Sequence, residues 1–311
     1  MANECSGLEA HSAEVFGDTR NHWWNVDYLR FLASHWGTGE IRSVLDVGCG
    51  LGHWTQLWSR ILSSETRFTC IDREAEWIKR ASQRTATTGS ADRFQFRVGR
   101  AEDLDCSANT FDLVTCQTLL MHLSDPARGV AEMVRVAKPG GLIVVAEPTN
   151  IIGQVLQDAL AAPGLSIEIL SSLFRFQLVC QSGKKTLGEG DDLIGESIPS
   201  LLRDAGLVGV QVRVNDRAHP ILPPYDSDEA RAFVEESIDS AGRELWGWTK
   251  AQSRRYFVAG GAPDGEFESL WTMVVQERCR VARALEDARY AGSCGGLFYI
   301  AWARKARVGG I

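Results

Sequence analysis

Apolar and polar positions change period along the chain, and the changes mark its elements. Between residues 43 and 146 short apolar runs alternate with stretches of helical period, the pattern of a parallel α/β sheet. Ser43–Val47, Arg67–Ile71, Arg93–Val98, Phe111–Cys116 and Leu142–Ala146 are the predicted strands. They are near-continuous apolar runs, as expected of strands covered by helices on both faces. Helices are predicted from Gly52 to Leu62, from Arg73 to Thr85 and from Pro126 to Ala137, with Lys138-Pro139-Gly140-Gly141 as a helix stop and turn. Upstream, residues 21–32 form an aromatic-rich amphipathic helix. Downstream, Ile151 to Val179 reads as helical with a break near Pro163-Gly164. A helix at 196–205 and a strand at Val208–Val214 follow. The stretch 218–292 reads as helical, with Ser227 and Asp228 capping a helix to Ser240 and a long amphipathic helix over 266–289. Residues 295–303 form a strong last strand.

The sharpest local signal is Val44-Leu45-Asp46-Val47-Gly48-Cys49-Gly50-Leu51-Gly52. It reads as a buried strand, a glycine turn and the start of a helix. Glycines at alternate positions allow a sharp turn and leave bare N–H groups facing a ligand. Asp46 stands at the mouth of that turn where a phosphate site would place a cation, which excludes a P-loop and suits a ligand carrying an ammonium group. Asp72 ends the second strand, twenty residues after Gly52. An acid at that place accepts hydrogen bonds from a ribose diol. The loop Val98–Leu104, with Ala101 and Glu102, is placed to read the edge of an adenine. The fourth strand delivers Cys116 and Gln117 to the carboxyl edge of the sheet, where ligands bind in open α/β folds, and His122 follows in the next loop.

Charge and composition narrow the partner. The chain has 311 residues, a formal net charge of −7 and 44% apolar residues. The acidic balance argues against a general nucleic-acid surface. No apolar run reaches the ~20 residues that span a bilayer. The opening Met1-Ala2-Asn3-Glu4-Cys5 lacks the order of a signal peptide, so no membrane partner is expected. Eight cysteines are dispersed without Cys-x-x-Cys spacing, which fits a reducing cytoplasm and offers no metal site.

These motifs carry a family likeness. The chain resembles the class I S-adenosylmethionine-dependent methyltransferases, of the small-molecule type related to the ubiquinone/menaquinone methyltransferases. The matching residues are Val44–Gly52, Cys70-Ile71-Asp72, Gly99–Leu104, Phe111–Pro126 and Ala137–Leu142. The resemblance implies an α/β, Rossmann-like doubly wound sheet of seven strands, mostly parallel, with an antiparallel last strand between the fifth and sixth. It implies S-adenosylmethionine as cofactor and S-adenosylhomocysteine as product. Gly48, Gly50 and Gly52 would let the backbone approach the methionine part, with Asp46 near its ammonium group. Asp72 would hold the ribose hydroxyls, Arg73 would pack against adenine, and Ala101 and Glu102 would read its edge. Many relatives carry Asp where this chain has Arg100. Gln117 and His122 would border the methyl group, with His122 as candidate base.

The expected organisation is a helical cap at 1–39, the cofactor core at 40–150 and a helical lid at 151–190. The core resumes at 191–217, an acceptor-pocket insertion fills 218–292, and 293–311 are last strand and tail. His22, Trp24, Tyr28, Glu147 and Tyr256 are the candidate acceptor contacts. A small-molecule acceptor is expected, with a homodimer left open. A protein acceptor and a non-catalytic cofactor-binding member are the alternatives. No Asn/Asp-Pro-Pro-Tyr/Phe motif of base-amine methyltransferases follows the fourth strand; Cys116-Gln117-Thr118-Leu119 stands there.

Overall fold

The computed structural model describes residues 17–86, 91–150, 165–216 and 218–307. The expected helix at the start of 151–179 and its break near Pro163 lie outside these residues. The described strands are β1 (Ser43–Val47), β2 (Arg67–Asp72), β3 (Phe94–Val98), β4 (Phe111–Gln117), β5 (Ala137–Pro148), β6 (Leu207–Val214), β7 (His219–Ile221), β8 (Gly292–Cys294) and β9 (Phe298–Lys305). The described helices are α1 (Val26–Trp36), α2 (His53–Ile61), α3 (Ala75–Ala86), α4 (Pro126–Val136), α5 (Ile167–Thr186), α6 (Ile198–Asp204), α7 (Asp228–Gly242), α8 (Lys250–Ala259) and α9 (Asp264–Glu286). They fall into two compact units. One comprises Trp24–Gln154, Gly188–Arg217 and Gly296–Ile311; the other comprises Met1–Trp23, Val155–Leu187 and Ala218–Gly295.

The first unit is built on a seven-stranded sheet in the order β3-β2-β1-β4-β5-β9-β6. β1 to β5 are mutually parallel where they pair, and β9 runs antiparallel between β5 and β6. The expected reversed strand is therefore in place. β1 is buried from Val44 onward, so both of its faces are covered. One face packs Leu45, Val47, Val114, Ile143 and Val145 against Val130 and Met133 of α4 and Ile198 and Leu202 of α6. The other face carries an aromatic chain. Trp36 of α1 packs on Trp58 of α2 and on Trp302 of β9, with ring centroids 5.6 and 5.3 Å apart. Edge-to-face and tilted rings at such spacing add to plain area burial.

Local chemistry sets the element ends. The Asn25 side chain accepts from the Asp27 N–H and Gly37 closes α1 in the left-handed conformation, so the helix starts five residues later than its sequence pattern suggested. Asp125 caps α4, and Pro126 occupies a first-turn position where no N–H is needed. Lys138–Gly141 is not a turn ahead of the strand. Ala137 pairs with Phe111 before Leu142 pairs with Leu113, so the four residues form a bulge within β5. Gly140 takes φ +79° there, and Lys138 reaches Asp112 at 2.7 Å.

The second unit packs α5 against α8 and α9 around Phe176, Phe257, Phe267 and Trp271. The backbones of α5 and α8 cross closely. A Cβ on Gly183 would lie 1.7 Å from the Tyr256 carbonyl oxygen, and one on Gly260 would lie 2.1 Å from that of Val179. A smaller apolar cluster joins Ile221, Tyr225, Val281, Leu285 and Tyr290. The region expected as a helical insertion also holds a two-stranded ribbon, with His219 opposite Cys294 and Ile221 opposite Gly292. The segment expected as a cap over 1–39 is divided at Trp23: its 3-10 turn Gly17–His22 belongs to this unit, and α1 belongs to the sheet unit.

Candidate functional site

The parallel strands β1, β2, β4 and β5 end at one edge of the sheet, and the site is assembled there. Val47 stands beside Ile71 and Cys116, and Gln117 beside Ala146. After β1 the chain turns through Gly48, Gly50 and Gly52, at φ +70°, +51° and +80°. Any other residue would be strained at these angles. A Cβ on Gly48 would fall 2.6 Å from Leu119 Cδ1, so the glycine is required by a close approach of two loops. A Cβ on Gly50 would meet nothing within 4 Å and would project into open space.

Two carboxylates border it. Asp72 is 7% exposed. Its Oδ2 accepts the Gly50 N–H at 2.8 Å and its Oδ1 the Glu74 N–H at 3.0 Å. Each oxygen retains a lone pair for a hydroxyl donor. Asp46 lies deeper, at 1% exposure. Its Oδ2 accepts the Thr55 hydroxyl, and its Oδ1 is buried with no hydrogen-bond partner among the described residues. Burial pushes the Asp46 carboxyl up to about 7; the Thr55 bond opposes that shift and the nearby Asp72 charge adds to it. Two acids with an unsatisfied buried oxygen form a place for a cationic group. The residues present therefore fit a ligand that offers an ammonium to Asp46 and a diol to Asp72.

The loop after β3 joins the same edge, since the Gly99 N–H donates to the Asp72 carbonyl at 3.0 Å. Ala101 is 7% exposed. The Glu102 carboxylate lies 3.6 Å from Arg100, and its carbonyl accepts from Arg128 Nε at 2.9 Å. Arg73 is half-exposed and paired with Glu74 at 3.2 Å. Gln117 is half-buried at the end of β4, and Thr118 follows at φ +49°. The turn Leu120–His122 then carries His122, whose Nε2 is out of contact with solvent.

The five candidate acceptor contacts make the following contacts within the structure. Glu147 is fully buried; its Oε1 accepts the N–H groups of Leu119 and Leu120, both at 2.8 Å, and its Oε2 that of Met121 at 3.4 Å. It holds the Leu119–Met121 turn. Trp24 is a core residue, 2% exposed, with its ring 5.0 Å from Trp54 and 5.1 Å from Phe298. The Tyr28 hydroxyl donates to the Val214 carbonyl at 2.9 Å and ties α1 to the end of β6. Tyr256 is buried in the helical unit, edge-on to Trp248 at 5.2 Å. His22 lies in that unit too, 3.8 Å from Glu229. Sequence reasoning missed Thr55, whose signal is a polar side chain on the inner face of a helix, nine residues after the acid it serves. It also missed the buried polar stripe Gln177, Gln181 and Lys184 on α5.

A strand–glycine-turn–helix with one acid at the turn and a second at the next strand's end defines a nucleoside-binding α/β unit. Residues 45–145 match the family model described as a methyltransferase domain. The demethylmenaquinone methyltransferase of Lactiplantibacillus plantarum is 38% identical over 133 residues, 42% of this chain and 54% of that one. The chain thus spans about half the length of that relative. The erythromycin 3''-O-methyltransferase of Saccharopolyspora erythraea is 26% identical over 88% of this chain and 80% of its own. The phosphoethanolamine N-methyltransferase 2 of Haemonchus contortus, solved with S-adenosyl-L-methionine, shares the fold at a TM-score of 0.50, with 16% identity, covering 96% of this chain and 59% of that one. Residues 45–145 thus carry a methyltransferase domain of the S-adenosylmethionine-dependent type, similar to that of the quinone methyltransferases.

Proposed function

We propose that this methyltransferase acts on a small-molecule acceptor and that the edge of β1, β2 and β4 holds the cofactor. The observation that carries the site is the pair of acids about Gly50. Asp46 offers a buried, unpartnered oxygen and Asp72 a carboxylate already fixed by the Gly50 N–H. Asp46 takes the ammonium group and Asp72 the ribose hydroxyls. Gly48, Gly50 and Gly52 keep side chains out of the way. Ala101 and Glu102 read the adenine edge, with Arg73 against its face. Gln117 and His122 border the transferred group. When bound, S-adenosylmethionine supplies an activated methyl on a sulfonium. In-line transfer then needs alignment and exclusion of water. For a hydroxyl or ammonium acceptor, His122 takes the proton.

A small acceptor is supported by the acidic chain and by relatives whose names specify a quinone or a macrolide. Cysteines 49, 70, 106, 116, 180, 279 and 294 are free, which supports a cytoplasmic location. Among the described residues no helix is long and apolar enough to cross a membrane. The test is transfer of labelled methyl from the cofactor to a metabolite library. Label in a small molecule supports the reading; label only in protein, or none anywhere, overturns it. In that assay His122→Ala lowers turnover by ~10²-fold if His122 is the base, as expected for general-base loss. A near-normal rate with the wild-type pH profile removes His122 from that role.

A further inference from the structure

We infer that Glu147 is a positioning residue: its buried carboxylate fixes the Leu119–Met121 turn and, through Leu119, the wall of the glycine cradle at Gly48. This rests on the cofactor site proposed above. Three consecutive backbone N–H groups, those of Leu119, Leu120 and Met121, converge on one side chain that enters from the end of β5. Such a cluster of donors is otherwise satisfied by water or by the next turn of a helix. Here the turn is a 3-10 segment of three residues, too short to satisfy its own amides.

The backbone beside it is strained, because Thr118 is a β-branched residue at φ +49°. Strain of that kind persists only where the surroundings hold it. The Thr118 N–H is held by the Ala146 carbonyl at 3.0 Å, one residue before Glu147. The same turn is gripped from the opposite side. Gly190 approaches so closely that a Cβ would lie 2.1 Å from the Met121 carbonyl oxygen, and the Asp191 N–H donates to that oxygen at 2.9 Å. A Cβ on Gly195 would meet the Glu147 carbonyl at 3.0 Å and the Pro148 carbonyl at 2.8 Å. The turn is thus clamped between Glu147 and the 190–195 loop. Leu119 is its point of contact with the cradle, since its Cδ1 occupies the space beside Gly48. His122 follows directly, with its N–H on the Leu119 carbonyl at 2.9 Å.

E147Q keeps the side chain's shape and one acceptor oxygen. Its amide nitrogen faces a backbone donor, and the charge is gone. The experiment is calorimetric titration of S-adenosylhomocysteine into wild type, E147Q, L119A and the double variant, with melting temperature measured on each. Binding by wild type tests the cofactor site itself; no binding there sinks that reading before this one is reached. Given wild-type binding, E147Q is expected to melt as a folded protein and to raise Kd about tenfold, the effect of leaving a buried backbone N–H without its acceptor. In the L119A background, where the contact on Gly48 is already gone, E147Q should add less than twofold. Unchanged Kd in E147Q, or losses in the two variants that multiply in full, would overturn the inference. If E147Q does not fold, E147D decides: its carboxylate is withdrawn by one methylene, and an unchanged Kd for the folded E147D protein overturns the inference as well.

Discussion

Binding of S-adenosylhomocysteine is expected to release a proton, and Asp46 is its source. Burial holds this carboxyl at about 7, so at pH 7 the free site is about half protonated. The ammonium group arriving beside Oδ1 favours the charged form, and the proton leaves. About half a proton should be released per site at pH 7, rising to ~0.9 at pH 6 and falling to ~0.1 at pH 8. The same linkage makes the apparent Kd about tenfold weaker at pH 6 than at pH 8, since the fraction of sites already ionised changes by that factor. The sign follows from the raised value: protonation competes with the ligand as pH falls through 7. Titration in buffers of different ionisation enthalpy reads the proton number as a slope. In Asp46→Asn the release should vanish and the pH dependence flatten. A wild-type proton number near zero at pH 7, or the same number in Asp46→Asn, would refute the placement of the ammonium group.

Stability without ligand should fall as pH rises from about 4 to 7. Asp46 and Glu147 both have folded values raised by burial to about 7, so each favours the folded state in its neutral form and opposes it once ionised. The cost is on the order of 3 kcal/mol for each group, gained gradually between about pH 4 and 7. Asp112 and Glu132, held low by Lys138, Ser43 and Arg135, act below that window. Melting curves across this range check the slope; a flat or rising melting temperature contradicts it. Gly50→Ala should fold, at a cost of ~1 kcal/mol for a left-handed alanine, yet lose cofactor affinity because its Cβ fills the cradle. Gly48→Ala should lose stability as well, through the clash with Leu119; equal melting temperatures for the two variants would contradict the geometry.

The sheet was legible because its strands are short apolar runs between glycine or proline signals, and that pattern needs no partner to be read. The acids were legible for a similar reason: Asp46 and Asp72 are fixed by strand ends, and strand ends are local. What failed depends on distant partners. Lys138–Gly141 becomes a bulge only because Phe111 and Leu113 set the register of the neighbouring strand. The β7–β8 ribbon joins three-residue segments about 70 residues apart, too short to show a period. Glu147 was correctly placed at the sheet edge. Whether its carboxylate faces a ligand or turns back is decided by three amide donors in another loop. Trp24 was read as a candidate acceptor contact on an aromatic-rich helix. Its burial comes from Trp54 and Phe298, far along the chain. The unit boundary at Trp23 was hidden because each unit is assembled from separated segments.

The central claim is that the acids about Gly50 hold the cofactor. Its most direct test is a titration of S-adenosylhomocysteine into wild type and Asp72→Ala at equal, verified folding. The account predicts one site per chain in wild type and at least a tenfold weaker Kd in the variant, from the loss of hydrogen bonds to a charged acceptor. Wild type that does not bind, or an Asp72→Ala protein that binds with unaltered affinity, would contradict it.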